Sequence, residues 1–324
     1  MKEEKFTEIY PDYDIKSLPS CVRDDLDNVL VTGKRKKTII TSDGKKYSLD
    51  NKLNHLSGSE WVYFTNSVIN TRYSTAGKDN YGYSHRKVHP TPKPPPLMKD
   101  IIEFFTKEND IVLDYFMGVG GTLIAASLSN RKAVGIDLNK NYIDAYKKAN
   151  NSLGIEEQVV YHGNSLDILK SKEFILKYNQ KISFILIDPP YGNMMSKEKT
   201  GSTMRKKGKE ATPFTENEHD LGNMSDKDFL KTLKKSVKIS TKYLKNEKYI
   251  AIFIKDMQPN KKVTNLLHAD IIREINSIPN VYYKGLKIWA DQNAKLFPYG
   301  YPYSFVTTQI HQYILFFQKI DELK

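Results

Sequence analysis

The sequence is poor in cysteine, since Cys21 is the only one among its 324 residues. A single thiol cannot form an intramolecular disulfide, which excludes the small disulfide-stabilised folds and fits a reducing compartment. The chain also lacks an apolar run of about 18 residues, the length that a membrane-spanning helix needs. Its opening stretch, MKEEKFTEIYPDYD, is too rich in charge for a signal peptide. We therefore expect a cytoplasmic protein without a membrane partner.

Acidic residues are too few to balance the basic ones. Lys and Arg total 50 and Asp and Glu total 38, which gives a formal net charge of +12. Residues 192–262 alone carry 17 basic and 9 acidic side chains, a net charge of +8. An excess of this size favours a polyanionic partner, and nucleic acid is the first candidate.

From residue 97 onward, apolar strand patterns alternate with amphipathic helix patterns. Seven strands are predicted, at 111–116, 133–137, 159–162, 182–188, 249–255, 281–289 and 312–318. Six helices are predicted, at 97–105, 121–128, 138–150, 165–178, 229–243 and 266–275. This alternation indicates an α/β fold with a doubly wound, mostly parallel sheet, closed by an antiparallel hairpin of the last two strands. Residues 1–88 are less periodic, with some strand character at 56–65.

A glycine-rich turn, DYFMGVGG (114–121), follows the first of these strands. Glycine is needed where the backbone approaches a ligand closely, and Asp137 ends the next strand, where an acidic side chain binds ribose hydroxyls in nucleotide-binding folds. The G-x-G-x-x-G and Walker patterns are both absent. The Asp114 carboxylate would repel a pyrophosphate but could pair with an ammonium group. The turn therefore favours a nucleoside ligand with a cationic or amino tail, and a tight turn without a ligand is the alternative.

The fourth strand ends in the sequence DPPY at 188–191. Two consecutive prolines fix the backbone and remove two N–H donors, which frees the Pro189 carbonyl to accept a hydrogen bond from a ligand. Asp188 supplies a carboxylate beside it, and Tyr191 supplies a flat ring that can stack on a base. Two acceptors next to an aromatic face suit an exocyclic amine. The alternative is a strand-ending turn with a buried tyrosine.

These motifs together resemble those of the S-adenosylmethionine-dependent amino-methyltransferases of DNA, the N6-adenine and N4-cytosine group. The resemblance covers residues 85–320 and rests on HPTPKP (89–94), DYFMGVGGT (114–122), GIDLN (135–139), DPPY (188–191) and FVTTQIHQYILFFQK (305–319). It implies the Rossmann-like class I methyltransferase fold, with a catalytic domain at 89–324. It also implies an N-terminal extension at 1–88, which could recognise DNA or bind a partner.

The resemblance assigns a role to each matching residue. The catalytic residues would be Asp188, Pro189, Pro190 and Tyr191, which hold the amine of a flipped-out base. The cofactor-binding residues would be Lys93, Pro94, Asp114, Phe116, Gly118, Gly120, Asp137, Asn164 and Ser165. Asn164 departs from the family, which often has an acidic residue at this position. The reaction would be a direct methyl transfer to nitrogen, with no metal and no covalent enzyme intermediate.

Sequence recognition has no obvious domain, because only 74 residues separate Asp114 from Asp188. One candidate is the basic loop at 192–225, which either is disordered or binds phosphates of double-stranded DNA. Its basic side chains proposed for DNA binding are Lys197, Lys199, Arg205, Lys206, Lys207 and Lys209. The first 88 residues and the aromatic segment at 296–305 are further candidates, although for at least two of Tyr299, Tyr301 and Tyr303 the sequence favours a packed loop between the hairpin strands.

The leading functional hypothesis is a DNA N6-adenine methyltransferase that acts in restriction–modification or in protecting host or phage DNA. N4-cytosine methylation of DNA and methylation of an RNA base are alternatives. HPTPKP favours DNA over RNA. A third alternative is a DNA-binding subunit that is active only with a partner chain, so a recognition subunit, a restriction subunit or a homodimer is a candidate partner.

Overall fold

The computed structural model describes residues 4–77, 80–191, 220–257, 266–299 and 301–322. These residues form two sheets, a small one near the N-terminus and a large one of eight strands. In the described part of the chain, no helix is both long enough and apolar enough to cross a membrane.

The large sheet contains all seven predicted strands and one more. Its strands are β5 (Val68–Thr71), β6 (Ile111–Asp114), β7 (Lys132–Asp137), β8 (Val159–His162), β9 (Ile182–Ile187), β10 (Leu244–Ile254), β11 (Val281–Asp291) and β12 (His311–Lys319). They lie in the order β5-β11-β12-β10-β9-β6-β7-β8. The additional strand, β5, pairs in parallel with β11 at the edge of the sheet.

One strand of this sheet runs against the others. β12 is antiparallel to both β10 and β11, whereas the pairs of β9 with β10, β6 with β9, β6 with β7 and β7 with β8 are parallel. The predicted fold, a mostly parallel α/β sheet with a closing antiparallel hairpin, is confirmed. Because the parallel strands point the same way, their carboxyl ends meet at one edge, where such sheets bind ligands. β12 begins at that edge and β11 ends there.

Helices cover both faces of the large sheet. They are α5 (Pro95–Phe105), α6 (Gly121–Leu128), α7 (Lys140–Leu153), α8 (Ser165–Ile168), α9 (Lys172–Tyr178), α10 (Asp226–Ser240) and α11 (Leu267–Asn276), with the single turn α4 (Tyr83–Arg86) before them. The single helix predicted at 165–178 is two helices. The second begins because the Ser171 side chain accepts a hydrogen bond from the Phe174 N–H, which caps a new helix start.

The first 50 residues form a small unit with its own core. Its sheet has the order β1 (Glu4–Lys5), β2 (Leu30–Thr32), β3 (Thr38–Ile40) and β4 (Lys46–Ser48). Two short helices, α1 (Phe6–Ile9) and α2 (Ser20–Arg23), belong to the same unit. Phe6, Val22 and Ile39 are at most 1% exposed in its core.

Residues between this unit and α5 pack on the large sheet. Helix α3 (Gly58–Phe64) lies where the sequence shows some strand character. The Ser57 side chain and Glu60 form a capping box that starts it. The Phe64 ring stacks on Phe104, with 3.9 Å between ring centroids. The N-terminal segment therefore supplies a small sheet, a helix and an edge strand, while its proposed boundary at residue 88 stays a prediction.

Candidate active site

The DPPY corner follows β9, whose six residues are all buried. The Tyr191 hydroxyl donates to Asp188 Oδ1 at 2.8 Å, and Lys93 Nζ donates to Asp188 Oδ2 at 2.6 Å. Lys93 Nζ also lies 3.2 Å from the Tyr191 hydroxyl oxygen, and Lys93 is only 7% exposed. Both carboxylate oxygens of Asp188 are therefore engaged by the chain itself. In the described residues, no donor bonds to the Pro189 carbonyl.

A cavity of about 340 Å³ opens in front of this corner, at the carboxyl edge of the sheet. It brings together most of the residues that the sequence singles out. Its lining includes Asp188, Pro189, Pro190 and Tyr191 of the predicted catalytic set, and Lys93, Phe116, Gly118, Asp137, Asn164 and Ser165 of the predicted cofactor set. Asp114 lines a smaller cavity of about 40 Å³, which shares Lys93, Phe116 and Asp188 with the first.

The glycine turn binds the acidic strand end through its backbone. The Gly118 N–H donates to Asp137 Oδ2 at 2.7 Å, and the Asn139 N–H donates to Asp137 Oδ1 at 2.8 Å. In the same way, the Phe116 N–H donates to Asp114 Oδ1 at 3.0 Å. Each carboxylate is held in a fixed orientation beside the cavity and keeps lone pairs for a ligand.

Burial perturbs both of these carboxyl groups. It raises the pKa of Asp114 to about 7, against the lowering effect of hydrogen bonds from Thr122 and the Phe116 backbone. Burial also raises the pKa of Asp137 to about 7, and the nearby charge of Asp220 adds to the effect. A cationic ligand group would relieve both carboxylates, because an opposite charge favours the ionised form.

Two predicted cofactor residues, Gly120 and Pro94, line neither cavity. Gly120 has φ of +75°, and a Cβ there would lie 2.2 Å from the Tyr146 ring. Packing against α7 thus requires glycine at this position. Pro94 is the residue that precedes α5 and sets the direction of that helix.

Asn164 and Ser165 form the start of α8 at the cavity wall. Asn164 Oδ1 accepts from the Leu166 N–H at 2.9 Å, so the side-chain oxygen caps the helix. The Ser165 hydroxyl donates to the Tyr115 carbonyl at 2.5 Å, which ties α8 to the glycine turn. The Asn164 amide nitrogen is left as the donor that can face a ligand.

Sequence reasoning missed the side chain that joins the proline segment to the glycine turn. Arg86 is 1% exposed, and its guanidinium donates to the Val119 carbonyl at 3.2 Å and to the Lys93 carbonyl. Burial lowers the pKa of this side chain to about 10, which still leaves it charged at neutral pH. No local motif marks Arg86, since its partners lie on segments that only the fold brings close.

The cavity has further lining residues that were not assigned to the site from the sequence, although the first and the last lie in the quoted motifs at 89–94 and 305–319: His89, Tyr142, Asp220, Lys255 and Gln312. Gln312, on β12, accepts from the Tyr191 hydroxyl at 3.3 Å. Burial lowers the pKa of His89 to about 4, so its imidazole is neutral at pH 7. The His89 and Tyr142 rings meet edge to face, with 4.9 Å between centroids.

The basic side chains predicted to bind DNA lie outside the described residues. They are Lys197, Lys199, Arg205, Lys206, Lys207 and Lys209. Their assignment to DNA binding stays a prediction. The end of the basic loop at 192–225 is described, and three of its residues line the 340 Å³ cavity: Asp220, Leu221 and Met224.

The charges around the two cavities suit the predicted cofactor. Four carboxyl groups border them, those of Asp114, Asp137, Asp188 and Asp220. Two lysines, Lys93 and Lys255, also line the larger cavity and supply positive charge. S-adenosylmethionine carries an ammonium group, a carboxylate, a sulfonium centre and a ribose diol. The excess of carboxylates around the cavities suits its net positive charge, and Asp137 lies at the strand end where ribose hydroxyls bind in nucleotide-binding folds.

Two protein families match parts of this sequence. A DNA methylase family matches residues 14–148. A family described as RNA cap guanine-N2 methyltransferase matches residues 109–253. Each match covers less than half of the chain, and the two overlap in the glycine turn and the acidic strand end.

Curated relatives fall into the same two groups. A tRNA (guanine(10)-N2)-dimethyltransferase of Methanocaldococcus jannaschii is 32% identical over 43% of this chain and 40% of its own length. The type II methyltransferase M.HpaI of Haemophilus parainfluenzae is 35% identical over 31% of this chain and 33% of its own. The type II methyltransferase M.HindIII of Haemophilus influenzae is 34% identical over 35% of this chain and 33% of its own. The matched segment thus spans well under half of these relatives.

Among solved structures, a SAM-dependent methyltransferase from Aquifex aeolicus is similar over 74% of this chain and 98% of that one, with a TM-score of 0.40 and 14% identity. The family matches divide between DNA and RNA as the substrate. They agree with the sheet and the acidic cavity of this chain on a class I methyltransferase fold whose cofactor is S-adenosylmethionine.

Proposed function

We propose that the chain transfers a methyl group from S-adenosylmethionine to the exocyclic amino group of a DNA base, the N6 of adenine. The observation that carries the proposal is the position of the DPPY corner. Asp188 and Pro189 line the same cavity as Gly118 and Asp137. An amine held at the corner would therefore meet a methyl donor held at the glycine turn.

The residues of the corner have separate roles in this reaction. Asp188 and the Pro189 carbonyl accept the two N–H bonds of the amine, which draws its nitrogen toward a tetrahedral, more nucleophilic geometry. Asp188 Oδ2 now accepts from the Lys93 ammonium, a donor of the same kind as the target amine. The amine of the target nucleobase therefore either displaces the Lys93 ammonium from Asp188 Oδ2 or shares this oxygen with it. Most of the rate comes from placing the two reactants and excluding water.

When bound, S-adenosylmethionine supplies the methyl group on a positively charged sulfur. The carboxylates of Asp114 and Asp137 would hold its ammonium and ribose groups, and Phe116 would pack beside them. The neutral His89 would add no positive charge to the cavity that it lines. The amine would give up one proton after the transfer, and Asp188, which would accept its hydrogen bond, could receive that proton.

An assay with a radiolabelled methyl donor tests this proposal in vitro. The wild-type chain is expected to label duplex DNA that contains adenine, and Asp188→Asn is expected to reduce the rate by about a hundredfold or more, because the uncharged amide is a weaker acceptor. Asparagine keeps the shape of the side chain beside the buried Lys93. Cofactor affinity, measured by calorimetry, is expected to stay within about twofold. Full activity of the variant would refute the role of Asp188.

Methylation of guanine N2 in RNA is the second candidate function. It is supported by the match of residues 109–253 to the RNA cap guanine-N2 family and by the tRNA methyltransferase relatives. The two candidates use the same corner for the amine, so the substrate separates them. Label in tRNA and none in duplex DNA would replace the DNA proposal by the RNA one. Label at the N4 of cytosine would keep DNA as the substrate and change only which base is methylated.

A further inference from the structure

The segment that joins β11 to β12 lies beside the DPPY corner. It spans residues 292–310 and leaves the sheet at the same edge where β9 and β10 end. Two residues beyond it, Gln312 bonds to the Tyr191 hydroxyl. A polymer whose base occupied the corner would therefore pass close to this segment.

This segment exposes large apolar side chains instead of burying them. Leu296 is 74%, Tyr301 79%, Tyr303 92% and Phe305 90% exposed. The base of the loop is closed, because the Thr308 hydroxyl donates to the Phe297 carbonyl at 2.7 Å. We call residues 296–305 the aromatic loop. Tyr301 and Tyr303 are thus exposed instead of packed as the sequence favours, so contacts within the chain do not account for these rings.

The chemistry of the aromatic loop suits a nucleic acid partner. Residues 292–310 contain one charged side chain, Lys295, and no acidic one that would repel phosphates. The whole chain carries a net charge of +12, which favours a polyanion at its surface. Exposed rings on a basic protein can stack on nucleobases, since every base has a π-face.

We propose that the aromatic loop stacks on DNA bases next to the target base, through Tyr301, Tyr303 and Phe305. This inference rests on the proposed function, because it requires DNA at the DPPY corner. The rings supply contact area that does not depend on sequence, and they compensate for the stacking that the target base loses when it leaves the duplex. The loop is thus a docking surface for bases and takes no part in the chemical step.

Leucine substitutions separate stacking from general apolar contact. The triple variant Tyr301→Leu, Tyr303→Leu, Phe305→Leu keeps apolar side chains and removes the rings. Its affinity for a fluorescent duplex DNA is expected to fall about tenfold or more, because one ring stacked on one base already contributes that much. The double variant Tyr301→Phe, Tyr303→Phe keeps the rings and is expected to bind like the wild type.

Salt dependence and a distant control make the test specific. The rings carry no charge, so the slope of log affinity against log salt is expected to remain unchanged in the leucine variant. Tyr282→Leu is the matched control. Tyr282 is 45% exposed at the start of β11, whereas the aromatic loop follows the end of that strand. This control is expected to leave DNA affinity unchanged.

Each outcome bears on the inference. Wild-type affinity in the leucine variant would overturn stacking, and a reduced salt slope would assign the loop to phosphate contacts instead. Equal losses in the leucine variant and in Tyr282→Leu would also overturn it, because the effect would not be local. A wild-type chain that binds duplex DNA but methylates only RNA would reject the proposed function, while the comparison of variants would still decide whether the loop stacks on bases.

Discussion

At the residue scale, the site is a set of carboxyl groups that are costly to bury and useful to a cationic ligand. Asp114 shows this most clearly, since it is 3% exposed and burial raises its pKa to about 7. Unfolded, the same group has a pKa near 3.8. At pH values between these two pKa values, Asp114 is protonated in the folded chain and ionised in the unfolded chain. Stability of the ligand-free chain therefore falls as pH rises from about 4 to 7 through this group.

Asp114→Asn is expected to remove this pH dependence and to stabilise the ligand-free chain at pH 8. A pKa rise of about 3 units corresponds to at most about 4 kcal/mol, so we expect a gain of about 2 kcal/mol in the free energy of unfolding. Cofactor affinity is expected to fall about tenfold or more, because a charged acceptor is lost. Urea unfolding at pH 5 and pH 8 and calorimetry with S-adenosylmethionine measure the two effects.

Asp144→Asn is the control for this variant. Asp144 is exposed on α7, and a hydrogen bond from Lys140 lowers its pKa, so its replacement is expected neither to stabilise the chain nor to weaken cofactor binding. An Asp114→Asn variant that is less stable than the wild type at pH 8 would contradict the cost assigned to burying this carboxylate.

The positions of site residues were predictable where a motif and a strand end coincide, while their roles stay predictions. Asp137, Asp188 and Tyr191 follow or end predicted strands, and parallel strands bring their carboxyl ends to one edge. Arg86 and Gln312 were not predictable, because their contacts depend on how distant segments meet. Gly120 was predicted as a cofactor-binding residue. In the structure, its close packing against the Tyr146 ring is what requires glycine at this position.

At the element scale, the glycine turn sets how closely α7 packs against the start of α6. Gly120→Ala combines a positive φ of +75° with a Cβ placed 2.2 Å from Tyr146. We expect a loss of about 3 kcal/mol or more in the free energy of unfolding, since strain and overpacking add. Thermal or urea unfolding measures this loss.

Gly154→Ala isolates the backbone contribution to that loss. Gly154 ends α7 with φ of +63°, but nothing lies within 4 Å of a Cβ there. Only left-handed strain then opposes alanine, and we expect a loss of about 1 kcal/mol. Equal losses in the two variants would contradict the packing role assigned to Gly120.

The strands of the large sheet were predictable because most are buried apolar runs bounded by turns. β5 was not, since its four residues are partly exposed at the sheet edge. Helix α3 was not either, because its aromatic and β-branched residues favour a strand while the Ser57–Glu60 capping box starts a helix. The small N-terminal sheet has strands of two or three residues, too short for a periodic pattern.

At the scale of the whole molecule, part of the positive charge lies on a described helix that also lines the site. Residues 192–262, which carry a net charge of +8, include helix α10. Its exposed lysines recur on one face at Lys227, Lys231, Lys235 and Lys238. On the cavity side of the same helix, Thr232 and Ser236 line the 340 Å³ cavity. The fold thus joins a basic helix to the wall of the site.

Neutralising Lys206, Lys207 and Lys209 as glutamines is expected to weaken DNA binding and to reduce the salt slope by about 2 to 3, because each phosphate contact releases about one counterion. A second variant, with glutamine in place of Lys227, Lys231 and Lys235 on α10, serves as the comparison. Titrations with duplex DNA at 50–200 mM salt measure the affinity and the salt slope of both variants. An unchanged slope in the first variant would remove the basic loop from the DNA interface.

The proposed reaction is methylation of an amino group of a DNA base at the DPPY corner. The most direct measurement is base-resolved, methylation-sensitive sequencing of DNA from cells that express either the wild type or Asp188→Asn. We predict N6-methyladenine at one recurrent sequence with the wild type, and none above background with the variant. No modified base in wild-type DNA, or the same modification with both chains, would contradict the account.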